Sequence, residues 1–202
     1  MSIKNTIILV HGFTDNARRM GHMSTYLKRR GHNVLTPTLL PSNGTIPLEE
    51  LAKQLEIFIQ NTIPATDRID LVGFSMGGLI CRYYLQRLGG LLITDKFISI
   101  STPHNGTLTA HLFSRAGTRQ MLPDSLFLQD LNSDADQLNK ISCSVLYTPM
   151  DFTIIPARSS IVSFADTTRF FVPVHVLMVY YSSVLKTIHR ILSTGVGVPI
   201  NP

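Results

Sequence analysis

The chain has 202 residues, of which 44% are hydrophobic and 15% charged, a composition that suits one domain with an apolar core and excludes a disordered segment. Its formal net charge is +5, from 18 basic and 13 acidic residues, and no basic stripe interleaved with aromatic side chains runs along it, which argues against a nucleic-acid groove. No apolar run approaches the roughly 20 residues that a membrane-spanning helix needs.

Predicted strands and helices alternate along the chain. The β-branched apolar run at 6–10 is typical of a strand buried on both faces of a parallel sheet, and Gly31 predicts the end of the helix that follows it. In chain order, the predictions are a strand at 6–10, a helix at 20–30, a strand at 33–36, a helix from Pro47 to near Pro64, a strand at 68–72, a helix from Ser75 that ends before Gly89, strands at 96–101 and 144–148 with a partly helical stretch between them, and a helix at about 181–192.

This alternation predicts the fold class. We expect an α/β domain with a mostly parallel central sheet that is flanked by helices on both sides. The sequence has no internal repeat and no low-complexity linker, so residues 1–202 are expected to form a single domain.

The first residues and the cysteines predict the compartment and the redox state. The apolar stretch ending at Val10 is too short for a signal peptide and runs into His11 without a small-residue cleavage site. We therefore expect the mature chain to start here and to stay in the cytoplasm. Cys81 and Cys143 are too few for a disulfide framework or a metal cluster, and both are expected to be reduced and buried.

A Gly-x-Ser-x-Gly motif, from Gly73 through Ser75 to Gly77, lies where a predicted strand turns directly into a helix. Such a sharp turn holds the serine in a strained backbone conformation. The two glycines leave room for this turn because they lack a Cβ that would collide with neighbouring backbone. The position predicts Ser75 as a nucleophile; the alternative is an ordinary tight turn with a surface serine.

A serine hydroxyl needs a base to take its proton and an acid to orient that base. Enzymes with this motif carry the serine, the acid and the histidine in that order along the chain. Asp151 follows the strand at 144–148 and so lies at the carboxyl edge of the sheet, where Ser75 also emerges. His175 comes later, just before the last helix. We therefore predict a catalytic triad of Ser75, Asp151 and His175.

Other histidines and carboxylates fit these positions less well. His104 and His111 precede the acid in the chain, and His189 lies inside the last predicted helix, where a packing or surface role is expected. The alternative acids are Asp166 and four residues of the polar stretch before the strand at 144–148, namely Asp124, Asp130, Asp134 and Asp136.

Acyl transfer passes through an oxyanion that requires preorganised N–H donors. The backbone N–H of Met76 starts the helix after Ser75, where the helix dipole favours negative charge. The second donor is expected from the Phe13 amide in the loop after the first strand, because Gly12 permits a tight turn there. His11 is expected to make structural hydrogen bonds.

Taken together, these residues resemble the small, compact lipases and esterases of the α/β-hydrolase superfamily. The likeness covers nearly the whole chain, and the resemblance implies a ping-pong acyl transfer to water with no metal or organic cofactor. His175 departs from the family pattern because it is flanked by Val174 and Val176 instead of glycine. The segments that carry the likeness are 10–13, 73–79, 101–107, Asp151 with Pro156, and 175–178.

Many relatives carry a large cap domain where this chain has only residues 102–143, so the resemblance implies a compact fold without such a cap. The segment is a candidate short lid or flap, and the alternative is that its apolar residues pack onto the domain. These residues are Leu112, Phe113, Met121, Leu122, Leu126, Phe127 and Leu128.

The first functional hypothesis is a serine hydrolase of the lipase or esterase type that cleaves lipid-like or small acyl esters. A thioesterase or an acyltransferase would use the same triad. A hypothesis of another class is a noncatalytic hydrolase-like protein that binds a ligand or partner. The expected partner is a lipid or small-molecule ester, no nucleic acid is expected, and an apolar rim around the site would permit transient contact with a membrane surface.

Overall fold

The computed structural model describes residues 5–194. It contains six strands and six α-helices, joined by loops and short 3₁₀ helices. The strands are β1 (Thr6–Val10), β2 (Val34–Leu35), β3 (Ile69–Phe74), β4 (Thr94–Ile100), β5 (Ser142–Tyr147) and β6 (Asp166–Arg169). The helices are α1 (Gly21–Lys28), α2 (Leu48–Thr62), α3 (Met76–Arg87), α4 (Ala116–Gln120), α5 (Leu126–Ser133) and α6 (Ser182–Ser193).

The strands form one sheet in the order β2-β1-β3-β4-β5-β6, and every neighbouring pair is parallel. This confirms the predicted fold class. Since all strands run the same way, the loops that follow them meet at one edge of the sheet.

Helices cover both faces of the sheet. Side chains alternate along β1, so that Ile8 and Val10 face one core while Ile7 and Leu9 face the other. Helices α2 and α3 supply the first core, and α1 and α6 supply the second. The central strands are therefore buried on both faces, as the continuous apolar run of β1 predicted. No helix within residues 5–194 is long and apolar enough to cross a membrane.

Three predicted element bounds needed correction. The first helix is shorter than predicted, because a 3₁₀ turn at Ala17–Met20 precedes α1. Strand β2 has only two paired residues. Strand β3 continues past Val72, because Gly73 and Phe74 stay extended and pair with Ser99 and Ile100 of β4.

Strand β6 was missed by the sequence analysis. Its four residues, Asp166 to Arg169, are polar and mostly exposed, so they carry none of the apolar signal of the other strands. They still pair in parallel with β5 at the edge of the sheet. Both cysteines are free and buried, as predicted.

The segment 102–143, called the flap below, is half packed and half exposed. It carries two 3₁₀ helices, Leu108–Leu112 and Ala135–Lys140, in addition to α4 and α5. Met121, Phe127 and Leu128 are buried in the core, whereas Leu112 is 78% and Leu126 83% exposed. The packing interpretation thus describes only part of the apolar set.

Side chains of α3 hold the end of the flap. Arg87 makes ion pairs with Asp130 and Asp134, with N–O distances of 2.9 and 2.7 Å. The buried Arg82 donates a 2.6 Å hydrogen bond to the carbonyl oxygen of Leu131. Burial lowers the pKa of Arg82 to about 10, against the raising effect of Asp134.

Candidate active site

Ser75 connects β3 to α3 at a sharp turn. Its φ is 54° and its ψ is −124°, a backbone conformation that residues with a Cβ rarely adopt. The Ser75 N–H donates a 2.8 Å hydrogen bond to the carbonyl oxygen of Ile100, which ties the turn to the end of β4. The serine is only 7% exposed and borders a pocket.

The glycines of the motif fit the turn because they have no side chain. A Cβ on Gly73 would lie 2.6 Å from the Cα of Gly78, and a Cβ on Gly77 would lie 2.5 Å from the carbonyl oxygens of Val10 and His11. Contacts between a Cβ and a backbone atom of another residue are longer than this in real proteins. Both positions therefore exclude every residue except glycine unless the backbone moves.

The structure brings Asp151 and His175 together. Asp151 Oδ2 lies 2.7 Å from His175 Nδ1, and both residues are buried. The other carboxylate oxygen, Oδ1, accepts 2.9 Å hydrogen bonds from the backbone N–H groups of Thr153 and Ile154. Three donors thus fix the carboxylate. The two amides were not predicted from the sequence, since a backbone donor has no residue signature.

His175 lies beside the serine turn. Its ring packs against the ring of Phe74, the residue before Ser75, with centroids 4.8 Å apart. No hydrogen bond joins Ser75 Oγ to His175 within residues 5–194. In substrate-free enzymes such bonds are often long and tighten when substrate binds.

The backbone N–H groups of Phe13 and Met76 donate to no protein acceptor in the described part of the chain. The loop that carries Phe13 passes close to the nucleophile, because a Cβ on Gly12 would lie 3.1 Å from the Cβ of Ser75. Met76 is the first residue of α3, where the helix dipole favours an anion. Two free donors are thus available near Ser75.

His11 supports the loop that carries Phe13. Its Nδ1 lies 3.0 Å from the carbonyl oxygen of Gly12, and its Nε2 accepts a 3.0 Å hydrogen bond from the Leu39 amide. Burial lowers the pKa of His11, which matches a neutral ring that donates at Nδ1 and accepts at Nε2.

A pocket of about 250 Å³ opens beside Ser75. The loop after β1, the flap and the loop after Asp151 form its walls, and no charged side chain lines it. Its apolar lining residues are Phe13, Pro103, Ala110, Leu112, Phe113, Met121, Phe152 and Ile154. Phe152 and Ile154 were not predicted from the sequence, because isolated apolar loop residues have no periodicity. Such a wall suits an apolar chain.

The alternative histidines lie elsewhere. His104 is fully buried, with its Nε2 2.9 Å from Ser99 Oγ, and burial lowers its pKa well below the ordinary value. His111 is exposed on the flap. His189 contacts His32, with 2.9 Å between ring nitrogens.

The alternative acids are also placed away from His175. Asp166 is the first residue of β6, at the amino edge of the sheet. Asp130 and Asp134 pair with Arg87, Asp136 belongs to a 3₁₀ helix, and Asp124 has a φ of 59° in the flap.

Comparisons with known proteins match the sequence to a family. The sequence profile of the palmitoyl protein thioesterase family matches residues 6–149. This range includes Ser75 and ends before Asp151 and His175. Lysosomal thioesterase PPT2 of Mus musculus and that of Homo sapiens are each 29% identical to this chain over 104 residues. The match covers 50% of this chain and only 34% of the length of either relative.

Solved structures share the fold. The mature form of lipase BlEst2 from Bacillus licheniformis superposes with a TM-score of 0.75 at 15% identity, over 96% of this chain and 94% of the lipase chain. Lipase B of Aspergillus fumigatus also has a TM-score of 0.75, at 16% identity, over 95% of this chain and 53% of that chain. The fold is the α/β-hydrolase fold expected from the sequence.

Proposed function

The chain belongs to the palmitoyl protein thioesterase family, and from this premise we propose that it hydrolyses acyl thioesters, with Ser75, His175 and Asp151 as its catalytic triad. One observation supports the proposal most strongly: the hydrogen-bonded pair of Asp151 and His175 packs beside the strained turn that presents Ser75. Backbone strain of this kind is concentrated at functional sites.

In the proposed acylation step, Ser75 Oγ attacks the carbonyl carbon of the thioester. The Nδ1 of His175 is engaged by Asp151, so Nε2 is the nitrogen that takes the serine proton. The amides of Phe13 and Met76 stabilise the oxyanion. The carbon–sulfur bond then breaks, and the thiolate takes the proton from His175. The acyl group remains on Ser75 as an ester.

In the proposed deacylation step, water replaces the thiol. His175 Nε2 takes a proton from the water, whose oxygen attacks the acyl carbon. The second oxyanion collapses, the bond to Ser75 Oγ breaks, and His175 returns the proton to the serine. A free carboxylic acid leaves. The net reaction is hydrolysis, and every proton taken by His175 is given back.

The pocket beside Ser75 selects the acyl part of the proposed substrate. No lining residue is charged, and the apolar ones outnumber those with a hydroxyl group, which are Ser75, Thr107, Thr109, Thr118 and Thr153. Such a lining suits a hydrocarbon chain. No lining residue is placed to recognise a thiol specifically. Oxygen esters of the same acyl chains are therefore a second candidate substrate class, since the same triad would cleave them.

We further propose transient contact between the pocket rim and an anionic membrane surface. Leu112 on the flap and Phe152 on the loop after Asp151 both line the pocket, and both are more than three-quarters exposed. The flap residues 104–123 and the loop residues 152–165 contain no Asp or Glu, whereas they include Arg115, Arg119 and Arg158. An apolar rim with cationic neighbours suits an anionic bilayer.

The proposed reaction is tested with matched thioesters and oxygen esters of increasing acyl length. We expect wild type to hydrolyse both kinds and Ser75→Ala to hydrolyse neither above background. A mid-length maximum would reflect a pocket of finite size. Folded wild type without activity on any member of either series contradicts the proposal.

A further inference from the structure

The position of the Asp151 carboxylate depends on the backbone of the loop that follows it. Asp151 Oδ1 accepts from the N–H groups of Thr153 and Ile154, which belong to the same loop. If this loop shifts, the carboxylate shifts with it, and so does its bond to His175. Whatever holds residues 152–155 in place therefore also orients the histidine.

Two flap hydroxyl groups hold that loop. Thr107 Oγ1 donates a 3.0 Å hydrogen bond to the Thr153 carbonyl oxygen and accepts a 2.9 Å bond from the Ile155 N–H. Thr109 Oγ1 donates a 2.6 Å bond to the same Thr153 oxygen. The backbone N–H of Leu108 donates a 2.9 Å bond to the Ile155 carbonyl oxygen. We call these four hydrogen bonds between the flap and the loop the clamp.

The backbone of Thr107 is also hydrogen-bonded within the flap. Its backbone N–H donates a 2.8 Å hydrogen bond to the carbonyl oxygen of Met121, and the residue is only 4% exposed. The hydroxyl thus uses both its donor and its acceptor capacity in bonds to one loop. Its removal would leave the N–H of Ile155 without that acceptor.

From these contacts we infer that Thr107, assisted by Thr109, is a positioning residue for the Asp151–His175 pair. The inference rests on the proposed function. The flap and the loop after Asp151 form one unit at this point, so the flap contributes to catalysis through the acid as well as to the pocket wall. A displacement near 1 Å in a catalytic group costs up to about 100-fold in rate, so a small shift of the clamp is measurable.

The experiment compares Thr107→Val, Thr107→Ser and Thr109→Val with wild type. Valine removes the hydroxyl at nearly constant volume, and serine keeps it. We expect Thr107→Val to lower kcat by about 10- to 100-fold with KM changed less than about threefold. Thr107→Ser restores most of kcat, and Thr109→Val, which removes one donor only, gives a smaller loss in the same direction.

The matched control is Thr62→Val on α2. The Thr62 hydroxyl also donates one short hydrogen bond, of 2.6 Å, to a backbone carbonyl oxygen, that of Phe58, but it is exposed and lies in a helix that does not touch the pocket. This variant should keep the wild-type kcat. A loss shared by Thr62→Val and Thr107→Val would overturn the inference, because it would report general destabilisation.

A spectroscopic readout separates positioning from packing. The proton between His175 Nδ1 and Asp151 Oδ2 lies in a short, charge-assisted bond and is expected to give a low-field proton NMR resonance. The resonance should shift or broaden in Thr107→Val and return in Thr107→Ser. An unchanged resonance together with unchanged kcat in folded Thr107→Val overturns the inference.

The remaining outcomes are also decisive. If Thr107→Val does not fold, Thr109→Val decides, since it retains the Thr107 clamp, and wild-type kcat with a wild-type resonance there overturns the inference. Thr107→Ser that is as slow as Thr107→Val overturns it too. Failure of the proposed function looks different: wild type itself would then lack Ser75-dependent hydrolysis, whatever residue stands at 107.

Discussion

Each edge of the parallel sheet buries an aspartate, and the two carboxylates have different neighbours. At the carboxyl edge, Asp151 accepts two backbone N–H bonds and the bond from His175, beside an open pocket. At the amino edge, Asp70 accepts a 3.0 Å bond from Asn5. Burial raises the pKa of Asp70 to about 6, whereas the Asn5 bond and the nearby Lys96 lower it.

Burial alone thus does not distinguish the two carboxylates. Both residues are less than one-tenth exposed, but only Asp151 has a histidine partner next to a serine. The edges also differ in backbone strain. Thr14, Ser75 and Ser101, which have positive φ, all lie in loops after strands at the carboxyl edge. Strain of this kind persists where the fold enforces it for function.

The largest expected effect comes from the same substitution at both edges. Asp151→Asn should lower kcat by about 10³- to 10⁴-fold, because a histidine without its carboxylate partner is held in the wrong tautomer. Asp70→Asn should leave kcat within about twofold, since Asp70 lies at the opposite edge. Steady-state kinetics on one thioester compares the two variants, and equal losses of kcat would contradict a special role for Asp151.

A second contrast tests the packed serine turn. Gly77→Ala should destabilise the fold by about 3 kcal/mol, because its Cβ would lie 2.5 Å from the carbonyl oxygens of Val10, at the end of β1, and of His11. Gly21→Ala is the control, since a Cβ there meets nothing within 4 Å. It should stabilise the fold by about 0.5 kcal/mol. Denaturant unfolding measures both, and a Gly77→Ala as stable as wild type would contradict the steric account.

The third prediction concerns pH. The unfolded chain ionises Asp70 near 3.8, whereas the folded chain holds its proton to about pH 6. The folded state therefore loses about 2 to 3 kcal/mol of stability relative to the unfolded state as pH rises through this interval. Asp70→Asn removes the loss, so its stability relative to wild type should rise by about 2 kcal/mol between pH 4 and pH 7.

Unfolding midpoints at pH 4, 5, 6 and 7 check this prediction. A pH-independent difference between Asp70→Asn and wild type would contradict it. Asp95 lies close to Asp70 and raises the pKa of that carboxyl, but it is itself paired with Arg68, so Asp95→Asn should give a smaller or opposite trend.

The smallest expected effect separates two exposed apolar side chains. Phe152 at the pocket rim and Leu92 near the amino edge are both 79% exposed. Phe152→Ser should weaken sedimentation with anionic phosphatidylglycerol vesicles by about five- to tenfold. Leu92→Ser should leave it unchanged. Equal effects would mean that the rim has no special role in membrane contact.

Much of the fold follows from the sequence because its signals are local. The continuous apolar run of β1 and the amphipathic pattern of α2 each predict an element from its own residues. The Gly-x-Ser-x-Gly motif predicts the strand-to-helix turn because only glycine fits beside it. The hydrogen bond between Asp151 and His175 joins residues whose pairing was predicted from strand position and chain order.

Other features depend on contacts between distant segments and leave no local pattern. Strand β6 is polar, and only its pairing with β5 makes it a strand. The ion pairs of Arg87 with Asp130 and Asp134 appear in the sequence only as scattered charges. The Thr107 clamp depends on backbone groups 46 and 48 positions away. Such partners become visible only when the chain is folded.

Labelling with a fluorophosphonate probe, followed by intact mass measurement, shows whether Ser75 is an activated nucleophile with His175 as its base. Wild type is compared with Ser75→Ala, with His175→Ala and with His111→Ala, the last being an exposed flap histidine and the control. We expect one adduct on wild type and on His111→Ala, and none on Ser75→Ala or His175→Ala. A folded wild type that stays unlabelled, or a Ser75→Ala that still gains the adduct, would contradict this expectation.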